Sequence, residues 1–420
     1  MTLTARSERF CLCLLLVIFT WFTAHGLRMF FSGDDMMNMY NAWNQNPWRL
    51  GRSLLFVWMP VYRPLGAVVY RVFYALFGFH NLPLYIFCWL LLAFNVVLSY
   101  KFFRTMRAAI VPALTAVSLT LVHGNFQDLY LSAGTIYDRL WFLFTLLGLI
   151  VYARMKPSLA RSLLVAEICL LAMASKESGV ALPALLACYE VIFILPDAWG
   201  AGKVGEWLKA AVPLYAVLAV LSVVFVLRVG RTPELSGTAA YHPHASLGVW
   251  LSHMGEYFTT LVYRQRTIPG YAAATLLIAT ALAAGLARNR LMIFGWLFFV
   301  ITITPVALIT TRPGYVLYVP DIGIGLYAAG LAGLIPERWV RLQLALFLVV
   351  TAATTFFHVR NWPGPFPPEA SPEKRFSEQF QREYPKLPPN SKLLFASDDF
   401  PPATWDLPFN TWLLYHDRSI

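Results

Sequence analysis

Charged residues are scarce in this chain: only 13% of its 420 residues are Asp, Glu, Lys or Arg, whereas 58% are hydrophobic. Soluble domains carry roughly a quarter charged residues, so the composition excludes an ordinary soluble globule. The net charge of +11 would suggest a nucleic-acid partner in a soluble protein. Here the basic residues form short clusters between apolar segments, where they orient membrane helices, and we expect no nucleic-acid partner.

Cysteine is also sparse, and its five copies lie inside apolar runs without the spacing of zinc or haem ligands. We expect small core residues and no disulfides. The sequence shows neither an internal repeat nor a low-complexity tract. The first apolar segment, 10–31, is too long for the core of a signal peptide and lacks a small-residue cleavage site before Asp34. We therefore expect it to be a retained first helix.

Apolar segments recur along the chain, and about eleven are predicted to cross a membrane, which needs roughly 20 residues each. Several are short as delimited, so crossing requires their ends to extend by a turn or more. The segments are 10–31, 82–103, 110–122, 140–152, 163–174, 180–195, 211–227, 272–286, 291–309, 316–334 and 342–357. The sequence thus predicts an all-α polytopic membrane protein with a transmembrane domain, 1–357, a long first external loop, 32–80, and a small external C-terminal tail, 358–420.

Basic clusters set the predicted orientation. Arg6 and Arg9 precede the first segment, and with eleven crossings the later clusters fall on the same side as the N-terminus. Those clusters are Lys101/Arg104/Arg107, Arg154/Lys156/Arg161, Lys203/Lys209, Arg288/Arg290 and Arg338/Arg341. Because cytoplasmic loops are enriched in Lys and Arg, this side is predicted to be cytoplasmic. The loop that begins at Asp34 then emerges outside.

Asp34 and Asp35 follow the first apolar segment directly. A carboxylate held where the bilayer meets water can take a proton from an acceptor hydroxyl while a lipid-borne substrate lies alongside. The same residues have a structural interpretation, because Ser32 and Gly33 with the two aspartates predict the N-terminus of a short helix over 36–43. Capping and chemistry are compatible, and we predict that one of the two aspartates is a catalytic base.

Lys176 and Glu177 divide a long apolar stretch. Ionised groups in such a place are costly unless they pair or meet a ligand, so Lys176 is predicted to contact a lipid-linked phosphate. The alternative is a mutual ion pair of Lys176 and Glu177 that merely turns the chain. Arg63 and Arg312 each lie beside a tyrosine and a helix-breaking turn. With Lys176 they would clamp a leaving phosphate, although each arginine could instead extend towards lipid headgroups.

Other polar residues are candidates for the substrate site. Tyr315 accompanies Arg312, and the acceptor groove is predicted to involve His123, Asn125, Asp128, Tyr137, Asp138 and Arg139, each with a structural role as the alternative. His242, His244 and His253 are of the residue type that binds metals. A proline separates the first two and no carboxylate cluster is near, so we predict no metal site and no cofactor; a divalent metal is unsupported.

Together these motifs resemble the C-type integral-membrane glycosyltransferases, the superfamily of protein O-mannosyltransferases and aminoarabinose transferases. The resemblance covers most of residues 10–335. It rests on the acidic pair after the first helix, Tyr62-Arg63-Pro64-Leu65, Phe77-Gly78, Ser175-Lys176-Glu177 before a segment with Pro183, and Arg312 with Tyr315 and Tyr318.

The resemblance implies an inverting transfer of a hexosyl or pentosyl group from a polyprenyl-phosphate donor to a protein, lipid or glycan acceptor. Asp34 or Asp35 would take the acceptor's proton, and basic groups would stabilise the phosphate as the bond breaks. We expect a multi-pass protein of the bacterial inner membrane whose site faces outward. The alternative is a transporter or flippase for a lipid-linked sugar, which would bind the same headgroup. Such transporters often show paired halves, and the sequence shows no such repeat.

Overall fold

The structure is a computed structural model, and it describes residues 5–56, 58–59, 61–121, 123–232, 237, 239–361, 371–395, 400 and 406–420. Within these ranges every regular element is helical. Parts of the stretch between the predicted crossings 211–227 and 272–286, and parts of the predicted tail, lie outside the described residues, namely 233–236, 238, 362–370, 396–399 and 401–405.

Helices form along the apolar segments because a backbone in hydrocarbon must satisfy its own hydrogen bonds. In chain order they are α1 (Ala5–Thr23), α2 (Gly33–Asn44), α3 (Pro47–Leu55), α4 (Pro64–Phe77), α5 (Asn81–Thr105), α6 (Ile110–Leu121), α7 (Asp128–Leu131), α8 (Ile136–Arg154), α9 (Leu159–Ser175), α10 (Ala181–Tyr189), α11 (Leu195–Gly200), α12 (Val204–Val229), α13 (Leu247–Leu261), α14 (Gly270–Leu286), α15 (Arg290–Ala307), α16 (Asp321–Ala332), α17 (Val340–Asn361), α18 (Pro372–Glu383) and α19 (Asp406–Tyr415).

Seven helical segments of the described chain are long and apolar enough to cross a membrane: Glu8–Arg28, Asn81–Thr105, Ala133–Arg154, Glu177–Gly200, Val204–Val229, Arg290–Ala307 and Val340–Asn361. Shorter apolar helices are Pro64–Phe77, Ile110–Thr120, Gly270–Leu286 and Asp321–Ala332. The predicted all-helical fold is confirmed for the described residues, and several long apolar helices are compatible with a multi-pass membrane protein. The count of about eleven crossings stays a prediction.

The centre of the bundle is built from α5, α6, α8, α15 and α16, which pack on one another. Large side chains such as Trp141, Phe142 and Phe294 are fully buried there. Helices α15 and α16 approach closely at a pair of glycines, where a Cβ on Gly295 would lie 2.6 Å from the carbonyl oxygen of Gly323. Small residues of this kind let membrane helices pack at short range.

Two outer helices expose apolar side chains instead. On α12, Val220 and Leu227 are 63% and 60% exposed, and on α17 Leu348 and Val349 are similarly open. Such continuous apolar surface would be unfavourable in water and is the expected surface of a helix that contacts lipid.

The segment predicted as the first external loop is itself helical, with α2, α3 and α4 in succession. Helix α4 packs against α2, α3 and α9. The last helix, α19, folds back onto α2 and α4. Tyr40 of α2 stacks on Trp412 with ring centroids 4.8 Å apart, and the Tyr74 hydroxyl of α4 donates to the Leu413 carbonyl over 2.7 Å. The N-terminal aspartates therefore lie under the C-terminal helix.

Candidate active site

Asp35 is completely buried and is held by side chains from several elements. It forms a capping box with Ser32: its carboxylate accepts from the Ser32 N–H over 2.9 Å, and the Ser32 hydroxyl accepts from the Asp35 N–H over 3.3 Å. The hydroxyls of Tyr85, Tyr70 and Ser132 donate to the same carboxylate over 3.1, 3.3 and 3.4 Å. The predicted capping role is confirmed for Asp35.

Asp34 is solvent exposed at the first turn of α2. The pKa of its carboxyl is raised above the ordinary value, first by desolvation from the surrounding protein and second by the neighbouring Asp406 carboxylate. A raised pKa strengthens a carboxylate as a proton acceptor. Of the two predicted bases, only Asp34 is exposed to solvent and has a carboxylate that accepts no hydrogen bond from another described residue.

A third carboxylate, Asp406, lies at the same helix end. A Cβ added to Gly33 would lie 2.0 Å from its Oδ1 atom, so the two residues touch in the folded chain. The sequence analysis missed Asp406, since nothing around it in the chain predicts that α19 returns to α2. Its contact with Gly33 requires a residue without a side chain at that position.

Arg63 and Glu177, which are 114 residues apart in the chain, form a bidentate ion pair. Arg63 Nε donates to Oε1 over 3.0 Å, and a terminal guanidinium nitrogen donates to Oε2 over 2.8 Å. Arg63 caps α4 with a left-handed backbone, φ 39°, directly before Pro64. Proline disfavours the right-handed conformation of the preceding residue, and the pair with Glu177 holds Arg63 in this strained geometry.

Lys176 pairs with Asp138 over 2.5 Å, and both side chains are buried. Its ammonium also lies 5.7 Å from the Trp141 ring centroid and 5.6 Å from that of Tyr315. Because Lys176 and Glu177 each bind a partner on another helix, the alternative of a mutual ion pair that merely turns the chain is wrong. The turn instead ties α9 to α4 and α8.

A cavity of about 680 Å³ collects five of the predicted substrate-binding residues: Arg63, Lys176, Glu177, Arg312 and Tyr315. The Arg312 guanidinium lies 4.2 Å from the centroid of the Tyr241 ring and has no carboxylate partner among the described residues. Counting the charged residues that line this space and the charged groups that interact with them, four cations (Arg63, Lys176, Arg228 and Arg312) accompany two carboxylates (Glu177 and Asp138), so the surroundings are positively charged.

Tyr137 lies between the cavity and the aspartates of α2. The Arg63 guanidinium stands 5.0 Å from its ring centroid, and a Cβ on Gly66 would meet its ring at 2.2 Å. The hydroxyl interacts electrostatically with Arg63 and Glu177 on one side and with Asp34 and Asp35 on the other. The aspartates do not line the cavity, but this tyrosine connects the two groups of charges.

Four predicted residues, His123, Asn125, Asp128 and Arg139, do not line this cavity. His123 stacks on Tyr263 with centroids 4.3 Å apart, and its Nε2 bonds with the Leu261 carbonyl over 2.9 Å. Burial is the first cause that lowers its pKa, to about 4. Arg139 is buried and donates to the carbonyls of Leu129 and Ser132 over 2.8 and 2.6 Å. Both side chains order the connection between α6 and α8 rather than line the cavity.

Among the residues that the structure describes, no group of three or more His, Cys, Asp or Glu side chains could hold a metal ion. His253 bonds through Nδ1 with the Ala307 carbonyl over 2.9 Å, and His242 lines the cavity.

Neither a protein family model nor a curated protein matches the chain. The resemblance to C-type glycosyltransferases therefore stays a prediction from the motifs.

Proposed function

We propose that the chain is a membrane glycosyltransferase that moves a sugar from a polyprenyl phosphate to an acceptor at the outer face of a bacterial inner membrane. The observation that carries the proposal is the close placement of an accessible carboxylate and a cation-lined cavity, with Tyr137 between them. Transfer with phosphate as leaving group needs a base, an anion clamp and exclusion of water, and little covalent help from the protein.

Asp34 is the proposed base. It accepts the proton of the acceptor hydroxyl as the oxygen attacks the anomeric carbon, and the bond from that carbon to the phosphate oxygen breaks. Asp35 holds the first turn of α2 in place through its capping box and the tyrosine hydroxyls. Because these donors already occupy its carboxylate, we assign Asp35 as a positioning residue.

Arg312, Lys176 and Arg63 are the proposed phosphate contacts. A sugar phosphodiester carries one negative charge, which the excess of cations around the cavity favours. The phosphate gains a further negative charge as the sugar leaves, and the donors that the ion pairs leave unused on Lys176 and Arg63 can stabilise it. The exposed apolar surface of α12, which ends beside the cavity at Val226 and Val229, offers a path for the polyprenyl chain.

The proposal is tested by separate Asp34→Asn and Asp35→Asn variants in membranes supplied with a radiolabelled polyprenyl-phosphate sugar. Loss of a general base costs roughly 10²- to 10⁴-fold in rate, so Asp34→Asn should reduce transfer to that extent in protein that still folds. Glu383→Gln, an exposed carboxylate of α18, is the matched control. Full transfer by Asp34→Asn would refute the assignment of the base. Movement of intact donor across the vesicle membrane without sugar transfer would identify a flippase instead.

A further inference from the structure

A second cavity, of about 640 Å³, lies at the other end of the bundle, where the basic clusters meet. It is lined by the end of α8, the start of α9, the π-helical turn Glu190–Ile194, α11 and the start of α12. π-Helical turns inside α-helices occur frequently at functional sites. None of the predicted active-site residues lines this space.

Arg161 is the unusual residue of this cavity. It is 6% exposed, and its guanidinium lies 4.5 Å from the Tyr152 ring centroid. One terminal nitrogen reaches the Met155 carbonyl at 3.5 Å, and Nε is buried with no hydrogen-bond partner among the described residues. A guanidinium offers five donors, and burying it with so few acceptors is costly. A ligand that supplies anionic oxygens would offset that cost.

The N-terminus of α9 faces the same space. Ser158 caps the helix by accepting from the Arg161 N–H over 3.2 Å, and Pro157 and Arg161 both line the cavity. The first turn of a 17-residue helix carries partial positive charge and free N–H groups, which favour anions. Lys156 and Lys203 add two exposed cations at the rim.

The carboxylates that line the cavity are mostly engaged elsewhere. Glu190 accepts hydrogen bonds from the Tyr152 hydroxyl and, over 2.6 Å, from the Trp207 indole. Asp197 pairs with Arg290 over 3.2 Å. Arg161 has no carboxylate within ion-pair distance among the described residues. Glu206 also lines the cavity and has no ion-pair partner among the described residues. Four cations line the same space, Arg154, Lys156, Arg161 and Lys203, so the net unpaired charge there is positive.

We propose that this cavity binds a phosphate ester, with the phosphate on Arg161 and the first turn of α9. Exposed apolar residues flank it, since Leu159 and Leu163 of α9 are 74% and 63% exposed and Val212 of α12 is 54% exposed. An anionic phospholipid would place its headgroup in the cavity and its chains along these residues. Basic pockets between membrane helices bind such headgroups on the cytoplasmic side. A soluble phosphoester shares the recognising chemistry but would not use the apolar flank.

The test titrates the purified full chain in a neutral detergent with phosphatidylglycerol, diacylglycerol or inorganic phosphate, and follows thermal unfolding. Phosphatidylglycerol should raise the melting temperature to a plateau, whereas diacylglycerol, which has the chains without the phosphate, should not. Loss of charge-assisted hydrogen bonds in Arg161→Gln should weaken the apparent affinity about tenfold or more. Arg341→Gln, which removes an exposed arginine that does not line the cavity, should leave it unchanged.

Comparing the titrations with lipid and with inorganic phosphate shows whether the phosphate belongs to a lipid or to a soluble phosphoester. Stabilisation by inorganic phosphate equal to that by the lipid, and lost in Arg161→Gln, would assign the site to a soluble phosphoester. If Arg161→Gln does not fold, the double variant Lys156→Gln/Lys203→Gln, at two exposed positions, should weaken binding several-fold. The same affinity in wild type and all variants, or no plateau with any phosphate, would overturn the proposal, whatever the outcome of the sugar-transfer assay.

Discussion

Asp34 and Asp35 are neighbours in the chain whose side chains lie in different surroundings. Asp35 is fixed by donors from four residues, whereas Asp34 is open to solvent beside the carboxylate of Asp406. This is the usual consequence of two successive residues at a helix N-terminus, where one side chain caps the helix and the next points away. The acidic pair thus divides into a structural and an accessible member.

Asp406 should tune the proposed base. Its negative charge is the second cause, after desolvation, of the raised pKa of Asp34. In Asp406→Asn that cause is removed, so the pKa of Asp34 falls. Because the base acts when deprotonated, the acid limb of the pH profile of transfer should move to lower pH, with the plateau rate largely kept. The profile measured from acid to neutral pH gives the result.

The control for this experiment is Glu383→Gln, which removes a negative charge from the same tail away from α2. An acid limb that stays in place in Asp406→Asn while transfer remains measurable would contradict the coupling. Gly33→Ala is a second way to disturb it, because the added methyl group would displace the Asp406 carboxylate.

The buried pair Lys176–Asp138 should show strong coupling in a double-mutant cycle. Removing one partner leaves an uncompensated buried charge, so Lys176→Met or Asp138→Asn alone should cost about 3 to 5 kcal/mol of stability. The combined variant should recover much of that loss. Chemical unfolding in detergent measures the three values. Lys374→Gln, from the partly exposed pair with Glu378, should change stability by less than about 1 kcal/mol. Simple additivity of the two buried variants would count against the pair.

At the level of elements, α19 acts as a cover for α2. Leu413 is 1% exposed and packs in the cluster formed by α2 and α4. Leu413→Ala should loosen this contact, at a cost of roughly 2 to 5 kcal/mol for a buried leucine. Hydrogen exchange of the α2 amides should then become faster while the α15 and α16 amides keep their protection. Leu394→Ala, at a 97% exposed position, should leave both unchanged.

Helix positions followed from the sequence where apolar runs were long and capped. The predicted segment 82–103 corresponds to α5, and Ser32 and Asp35 cap the N-terminus of α2, as predicted. The loop 32–80 was less predictable, because its helices are interrupted by prolines and stabilised by contacts with α9 and α19 rather than by their own apolar period.

The site was predictable in its residue types but not in its pairings. Lys176, Arg63 and Arg312 were expected to converge, and the cavity collects all three. The carboxylate partners of Lys176 and Arg63 come from α8 and from the turn after α9, and such long-range contacts leave no local pattern in the sequence. Asp406 and Arg161 could not be singled out for the same reason: their importance comes from what lies beside them in space.

The whole molecule has two chemically different ends. At one, Arg154 Nε donates to the Thr105 hydroxyl over 3.0 Å, which brings the ends of α5 and α8 together, and Arg290 pairs with Asp197. At the other end, the Asn81 side chain at the start of α5 donates to the Met29 carbonyl over 2.5 Å, near the aspartates of α2. Since Lys and Arg concentrate in cytoplasmic loops, the first end should face the cytoplasm.

This orientation is measured by labelling single cysteines in a chain whose five native cysteines have been replaced. Arg52→Cys in α3 and Lys392→Cys in the C-terminal tail should react with an impermeant maleimide added to intact cells, and Lys156→Cys should react only after the membrane is opened. The tail shares a side with α2 through its contacts at Tyr74 and Tyr40. The predicted eleven crossings would place it on the same side. Labelling of Lys156→Cys from outside, with Arg52→Cys protected, would reverse the orientation. The proposed base would then lie in the cytoplasm, away from an acceptor at the outer face.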